Sequence, residues 1–288
     1  MTDGLTPNQQ PMEDSTEPAA DGRSDLPDFD APPVIEVVCG VQFSPLGFPA
    51  PLVGTFWQDR RDDYPGITDR PLIAPRVEKF TSQAEGLNIT FEPSEAPPLP
   101  RTVFEDSSGN WILQLQQDRL LHNWRKADSE DEYPRFPGVY DRFRAAWEAW
   151  KEFWAEEGDG DIDVNQYELT YVNHVPAGDG WSELSQIGEV FEDLRWHSDH
   201  QFLPQPESLN WRLQFPLPNR AGRLHVAVQQ ALRRSDHRPV LVCEMTARGF
   251  DRESSMEDWF LLAREWIVRG FADLTTEHAH KEIWRRTR

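Results

Sequence analysis

One order of elements can be read twice in this chain, and that repetition limits its fold more than any other feature. On each side of Gly158 the sequence runs strand, helix, three strands and a long amphipathic helix. Two halves of like design, residues 32–158 and 159–288, point to an α+β fold in which duplicated β-α-β-β-β-α halves form one curved antiparallel sheet with the helices on one face. Two separate α+β layers are the rival arrangement, and the short link Gly158 to Gly160 permits either.

The first half opens at Val34 to Phe43, where Ile35, Val37, Cys39, Val41 and Phe43 share one face at the period of a strand. Leu52, Val53, Phe56 and Trp57 predict a helix that ends before Pro65. The proline-rich stretch that follows carries short strands near Val77 to Phe80 and Leu87 to Phe91 in this reading. Thr102 to Glu105 and Trp111 to Gln117 flank Ser107-Ser108-Gly109-Asn110, a hairpin signal, and Arg119 to Trp124 adds a strand. From Gly138 to Glu157, Tyr140, Phe143, Trp147, Trp150 and Trp154 recur at helical spacing and form one stripe for packing on the sheet.

In the second half Val164 to Val175 reads as a long strand, followed by a helix carrying Leu184, Ile187, Val190, Phe191 and Leu194. Leu209 to Leu217, Arg223 to Leu232 and Pro239 to Gly249 are three further strands, the first two joined at Asn219-Arg220-Ala221-Gly222. The closing helix, Ser254 to Leu274, presents Met256, Phe260, Ala263, Ile267, Gly270 and Leu274 on one side.

Charge is concentrated ahead of the first strand. Met1 to Pro33 hold eight acidic residues against the single Arg23, with little apolar, so residues 1–31 read as a disordered acidic tail. Setting that stretch aside takes the net charge from −21 to −14. A body this acidic repels phosphate backbones, which argues against unaided binding to bulk nucleic acid and favours a basic protein partner, with solubility alone as the plain alternative. No apolar run approaches the roughly 20 residues that cross a bilayer, and no basic segment followed by an apolar core opens the chain. With Cys39 and Cys243 inside apolar strands and nothing demanding a disulfide, a reduced, cytoplasmic protein with no membrane association is expected.

In plan the duplicated sheet resembles the saddle of the TATA-binding protein, a likeness of architecture that carries no function. Three segments also resemble an uncharacterised, sporadically distributed prokaryotic protein family of the TIGR family collection. They are Pro32 to Val38 with Gln42-Phe43-Ser44-Pro45, the central Leu169 to Val175, and Phe271-Ala272-Asp273-Leu274-Thr275 with His278 and Trp284. The resemblance implies a fold and no catalytic residues. A sporadic distribution fits accessory genes, such as those for defence or toxin neutralisation.

The candidate chemistry is sparse. His197-Ser198-Asp199-His200 lacks the spacing of a zinc motif and would need His174 or His225 as further ligands, so a polar loop is the better account. Asp159 to Asn165 mimics a calcium loop, but Val164 stands where glycine is required and Thr170 where glutamate is required. His278 and His280, with Glu277 and Glu282, form a second cluster near the C-terminus, which reads as a structural latch: on a short terminal helix His278 and Glu282 lie one turn apart and can pair, with Trp284 over a core edge. The sequence holds no Gly-x-Ser-x-Gly elbow and no phosphate-binding glycine loop. No catalytic group, metal or cofactor is expected.

The strongest candidate for function is the far face of the sheet. With the apolar alternates turned to the helices, Gln114, Gln116, Gln166, Glu168, Thr170, Asn210, Arg212, Gln214, His225 and Gln229 share the other side, a set of long hydrogen-bonding side chains suited to a partner's backbone. A solvated sheet face is the bland reading of the same pattern. The leading expectation is therefore a non-catalytic protein-binding or regulatory module with that face open to a partner, self-association remaining open. The alternatives are an enzyme whose His174, His225 or His197 and His200 converge with carboxylates, and a nucleic-acid-associated module whose tail masks Arg212, Arg220, Arg223, Arg233 and Arg234.

Overall fold

The computed structural model describes residues 26–78, 99–196, 202–233 and 236–288. The strands are β1 (Val34–Phe43), β2 (Gly66–Arg70), β3 (Arg101–Glu105), β4 (Trp111–Gln116), β5 (Arg119–Arg125), β6 (Val164–Pro176), β7 (Asn210–Pro216), β8 (Arg223–Leu232) and β9 (Pro239–Gly249). All nine join one antiparallel sheet in the order β2-β3-β4-β5-β1-β6-β9-β8-β7. The fold is thus mixed α+β on a single open sheet, with β2 and β7 as its edges among the described residues. At its centre β1 pairs with β6, Val37 opposite Tyr171 and Val41 opposite Tyr167, so the two segments flanking Gly158 share hydrogen-bonded strands.

Among the described residues three α-helices accompany the sheet: α1 (Ala50–Gln58), α2 (Arg135–Glu157) and α3 (Met256–Leu274). Helix α2 lies against β5 and β1, and α3 against β6 and β9. The stripe read from sequence on α2 is buried throughout, and Phe136, Val139 and Phe153 widen it. Burying a side chain of this size stabilises by about 1.5–3 kcal/mol, so the stripe alone fixes which side of α2 meets the sheet. Tyr140 and Phe143 pack on Phe260 at ring-centroid distances of 5.2 and 5.0 Å, which joins the two long helices on the same face. Ser255 caps α3 by accepting from the backbone N–H of Asp258, with Glu257 and Asp258 in the positive first turn. Helix α2 stops at Gly158, where a Cβ would lie 2.3 Å from the Trp154 ring, and the Trp154 indole N–H donates to the Gly160 carbonyl. That close approach requires glycine.

Four sequence expectations are corrected. The helix expected at Leu184 to Leu194 is only a 3-10 turn, Leu184–Glu189. Gly188 weakens a helix there, and the chain is drawn out instead by Thr276, which bonds to the Glu189 and Val190 carbonyls, and by the bridge from Phe191 to Thr275. Residues 77 and 78 are not strand, and β2 at Gly66–Arg70 takes the edge position by pairing with β3. Residues 79 and 80 and the expected strand at Leu87 to Phe91 lie outside the described residues, as do residues 1–25 of the acidic tail. The end of that tail, residues 26–31, is packed: Leu26 and Phe29 are buried, and Asp30 and Ala31 donate to the carbonyls of Arg285 and Trp284. Phe29 inserts among Phe271, His280 and Trp284, an apolar gain that outweighs the acidic composition around it. In the C-terminal latch it is His280, bonded to Thr275 Oγ1 at 2.7 Å, that is buried, and Glu277 pairs with Lys281.

Candidate protein-binding face

The register places Gln114, Gln116, Gln166, Glu168, Thr170, Asn210, Arg212, Gln214, His225 and Gln229 on the sheet face away from the helices. Two transverse rows show how. Gln116, Arg119, Gln42 and Gln166 stand side by side across β4, β5, β1 and β6. Beside them Gln114, Leu121, Gly40, Glu168, Arg248, Arg223 and Pro216 continue from β4 to β7. Gly40 is needed in the second row because a Cβ there would lie 2.4 Å from Leu121 Cδ2, so the leucine lies flat across β1.

The first row is occupied. Residues 71–78, Pro71-Leu72-Ile73-Ala74-Pro75-Arg76-Val77-Glu78, cross the sheet at right angles to its strands as an unpaired extended segment. Gln116 grips Ile73 at both backbone groups: its Oε1 accepts from the Ile73 N–H at 2.9 Å and its Nε2 donates to the Ile73 carbonyl at 3.0 Å. Arg119 donates to the Ala74 carbonyl and Gln42 to the Arg76 carbonyl, both at 3.4 Å. Gln166 repeats the two-point grip, accepting from the Glu78 N–H at 2.8 Å and donating to the Arg76 carbonyl. Three strand spacings separate β4 from β6, about 14 Å, and five residues of extended chain span roughly 16 Å, so the segment matches the row in pitch.

Beyond Gln166 the strap is locked by charge. Glu78 accepts from Arg223 Nη1 at 2.6 Å and lies 2.5 Å from His225 Nε2, both on β8. Burial pushes the Glu78 carboxyl up, but the hydrogen bonds from His225 and Arg223 outweigh it and hold it below the ordinary value. Elsewhere on the face Glu168 pairs with Arg248, Thr170 bonds Thr246 at 2.8 Å, and Gln114 donates to Asn123, which donates to Glu36. Burial raises the Glu36 carboxyl above the usual range, with the Asn123 bond and Arg125 opposing and Glu244 reinforcing the rise.

The expected open face is therefore divided. Gln114, Gln116, Gln166 and Thr170 are buried, Glu168 is ion-paired with Arg248, His225 is hydrogen-bonded to Glu78, and Asn210, Arg212, Gln214 and Gln229 are exposed on β7 and β8. Sequence reasoning missed Gln42, Arg119, Glu78 and the strap itself. Their one signal is the pair Pro71 and Pro75, which bars a ladder strand and leaves an extended segment.

The alternatives find little geometry. His174 and His225 are opposite Val242 and Thr246 of β9, four residues or roughly 13 Å apart along the strand, and do not converge. His197, Asp199 and His200 lie outside the described residues, as does Arg234. No group of three or more His, Cys, Asp or Glu among the described residues is placed to hold a metal. Of the arginine strip, Arg223 is bound to Glu78 and Arg233 to Asp236, which leaves less positive charge for a phosphate backbone. Cys39 and Cys243 are buried free thiols on β1 and β9, with β6 between them. No helix among the described residues is long and apolar enough to cross a membrane.

Comparison with known proteins adds no family: no protein-family model matches the chain, and no curated protein matches it at a significant level. Two of the three motifs behind the resemblance noted above fall on β1 and β6 and pair with each other, and the third ends α3.

Proposed function

We propose that this chain is a non-catalytic protein-binding module whose polar sheet face receives an extended polypeptide through that peptide's backbone, the strap 71–78 being its intramolecular occupant. One observation carries the reading: Gln116 and Gln166 each hold the strap by two main-chain groups, so the row recognises a peptide whatever its side chains. A partner that displaces the strap inherits those bonds. The net charge of −21 favours a basic partner, and membership of the sporadically distributed family would make it an accessory, defence or toxin-neutralising protein of the cytoplasm.

The duplicated reading of the fold belongs to the same proposal. Outward from the β1 and β6 pair the strands run β5, β4, β3 on one side, with β2 as an additional edge strand, and β9, β8, β7 on the other; the matching threes support two halves related by duplication and a saddle-like plan. Co-purification with the product of the adjacent gene, at low and high salt, tests the function. A salt-sensitive partner whose capture rises when Glu78→Ala releases the strap is the expected outcome. Failure to recover such a partner in repeated trials, or capture indifferent to Glu78→Ala, sinks the reading.

A further inference from the structure

A second site lies on the opposite side of the sheet, where the segment 27–34 crosses the gap between the start of α2 and the middle of α3. It borders a half-open cavity of about 80 Å³ with apolar walls that include Pro33, Val34, Phe136, Ile267 and Phe271. The volume is several-fold above the roughly 10–15 Å³ that one water needs, so it admits a molecule of several heavy atoms.

Two polar features point into this apolar space. Tyr133 donates its hydroxyl to that of Tyr171 at 3.0 Å. Two hydroxyls carry two hydrogens and this bond uses one, and no acceptor among the described residues takes the Tyr171 hydrogen. Tyr171 is 5% exposed and lines the cavity, so its free hydrogen is available to a molecule held there. Arg264 also lines the cavity, its guanidinium stacked on Phe136 at 5.1 Å and joined to no carboxylate among the described residues. Burial raises both tyrosines while Arg264 acts in the opposite sense on each, which places its charge within electrostatic reach of both hydroxyls. The remaining charges are satisfied: Asp28 pairs with Arg135 at 2.7 Å, and Arg288 lies 3.6 Å from it. The cavity therefore offers a donor hydroxyl and an unneutralised guanidinium in its otherwise apolar lining.

We propose that this cavity binds a small organic monocarboxylate, its oxygens accepting from Tyr171 and Arg264 and its hydrocarbon body lying against Phe136 and Ile267. An amine lacks the acceptors. The site is independent of the peptide-binding face, since none of its residues touches the strap.

The test is calorimetric titration of the full chain with isobutyrate, using isobutyramide as the neutral isostere. Saturable binding of the acid is expected, with the amide at least about tenfold weaker and the acid weakened about tenfold or more by Arg264→Met and by Tyr171→Phe. Arg264 is half-exposed, so its replacement keeps the test sound should Tyr171→Phe disturb the core, and circular dichroism monitors both. Equal affinity for acid and amide, indifference to both substitutions, or no saturable heat at millimolar acid each overturns the proposal.

Discussion

Replacing Gln166 with Leu tests whether the strap is one cooperative unit held by the transverse row. Gln166 is 1% exposed and contributes two bonds, one to the Glu78 N–H and one to the Arg76 carbonyl. Leucine keeps most of the volume and removes both. At about 1 kcal/mol net for each neutral hydrogen bond, the strap loses roughly 2 kcal/mol, which is about a 30-fold rise in the population of its open form. Amide hydrogen exchange followed by NMR reads that rise directly. The Glu78 N–H loses its own acceptor, but the Ile73 N–H is held by Gln116, five residues away. If the strap opens as a unit, both amides exchange about 30-fold faster, while amides in the β1 and β6 pair, such as Leu169, change little. Faster exchange at Glu78 alone would mean that Gln116 and Gln166 act separately and that no strap exists as a unit. Unchanged exchange at both would refute the premise that the glutamine grips stabilise the segment.

Two further predictions concern the core. His122 is fully buried on the helix side of β5, 2.8 Å from the Tyr64 hydroxyl, and burial, with Arg142 reinforcing, lowers its pKa to about 3. Because the folded value lies below the ordinary 6.5, the unfolded chain binds the proton first. Stability is full above pH 6.5 and falls progressively toward pH 3, by about 2 kcal/mol between pH 7.5 and 5. Urea titrations at those pH values should show the loss, and the same loss in His122→Gln would remove His122 as its source. Phe29→Ala strips the ring from among Phe271, His280 and Trp284 and should lower stability by about 3 kcal/mol, or roughly 6–12 °C in melting temperature. An unchanged melting temperature would show that residues 26–31 add nothing to the fold.

What could be read in advance was whatever repeats locally. The steps from Tyr140 to Trp154 return to one side of a helix, and Ser107 to Asn110 turn a hairpin, because both depend on neighbours in sequence. The sidedness of Gln114, Gln116 and Gln166 followed from the strand period alone. Their destination did not, because the chain that meets them crosses the strands at right angles and is separated from Gln166 by 88 residues at the Glu78 contact. A peptide running along no strand has no period of its own, and Pro71 and Pro75 merely remove it from the ladder. The short turn at Leu184 failed for the same reason: its apolar residues suit a helix, and only distant Thr275 and Thr276 draw the chain out of it.

The strap also decides how a partner must bind. It precedes Gly158 yet its last described residue, Glu78, bonds to Arg223 and His225 beyond it, and among the described residues Asn210, Arg212, Gln214 and Gln229 stay exposed on β7 and β8. That remainder is two strands wide, about 10 Å with the spacing of a sheet, and a specific interface engages roughly 20–30 residues on each side. Four exposed side chains fall far short. A partner that only extended the strap's line onto β7 would gain too little area, whereas one that enters the row from Gln116 to Gln166 gains the backbone bonds the strap now holds. Displacement and extension make opposite demands of Glu78→Ala, which frees the strap from Arg223 and His225 and leaves the row intact. Loosening the strap while keeping Gln116, Arg119, Gln42 and Gln166 should strengthen capture of a displacing partner by removing part of the conformational penalty, and should leave an extending partner unaffected or weaker.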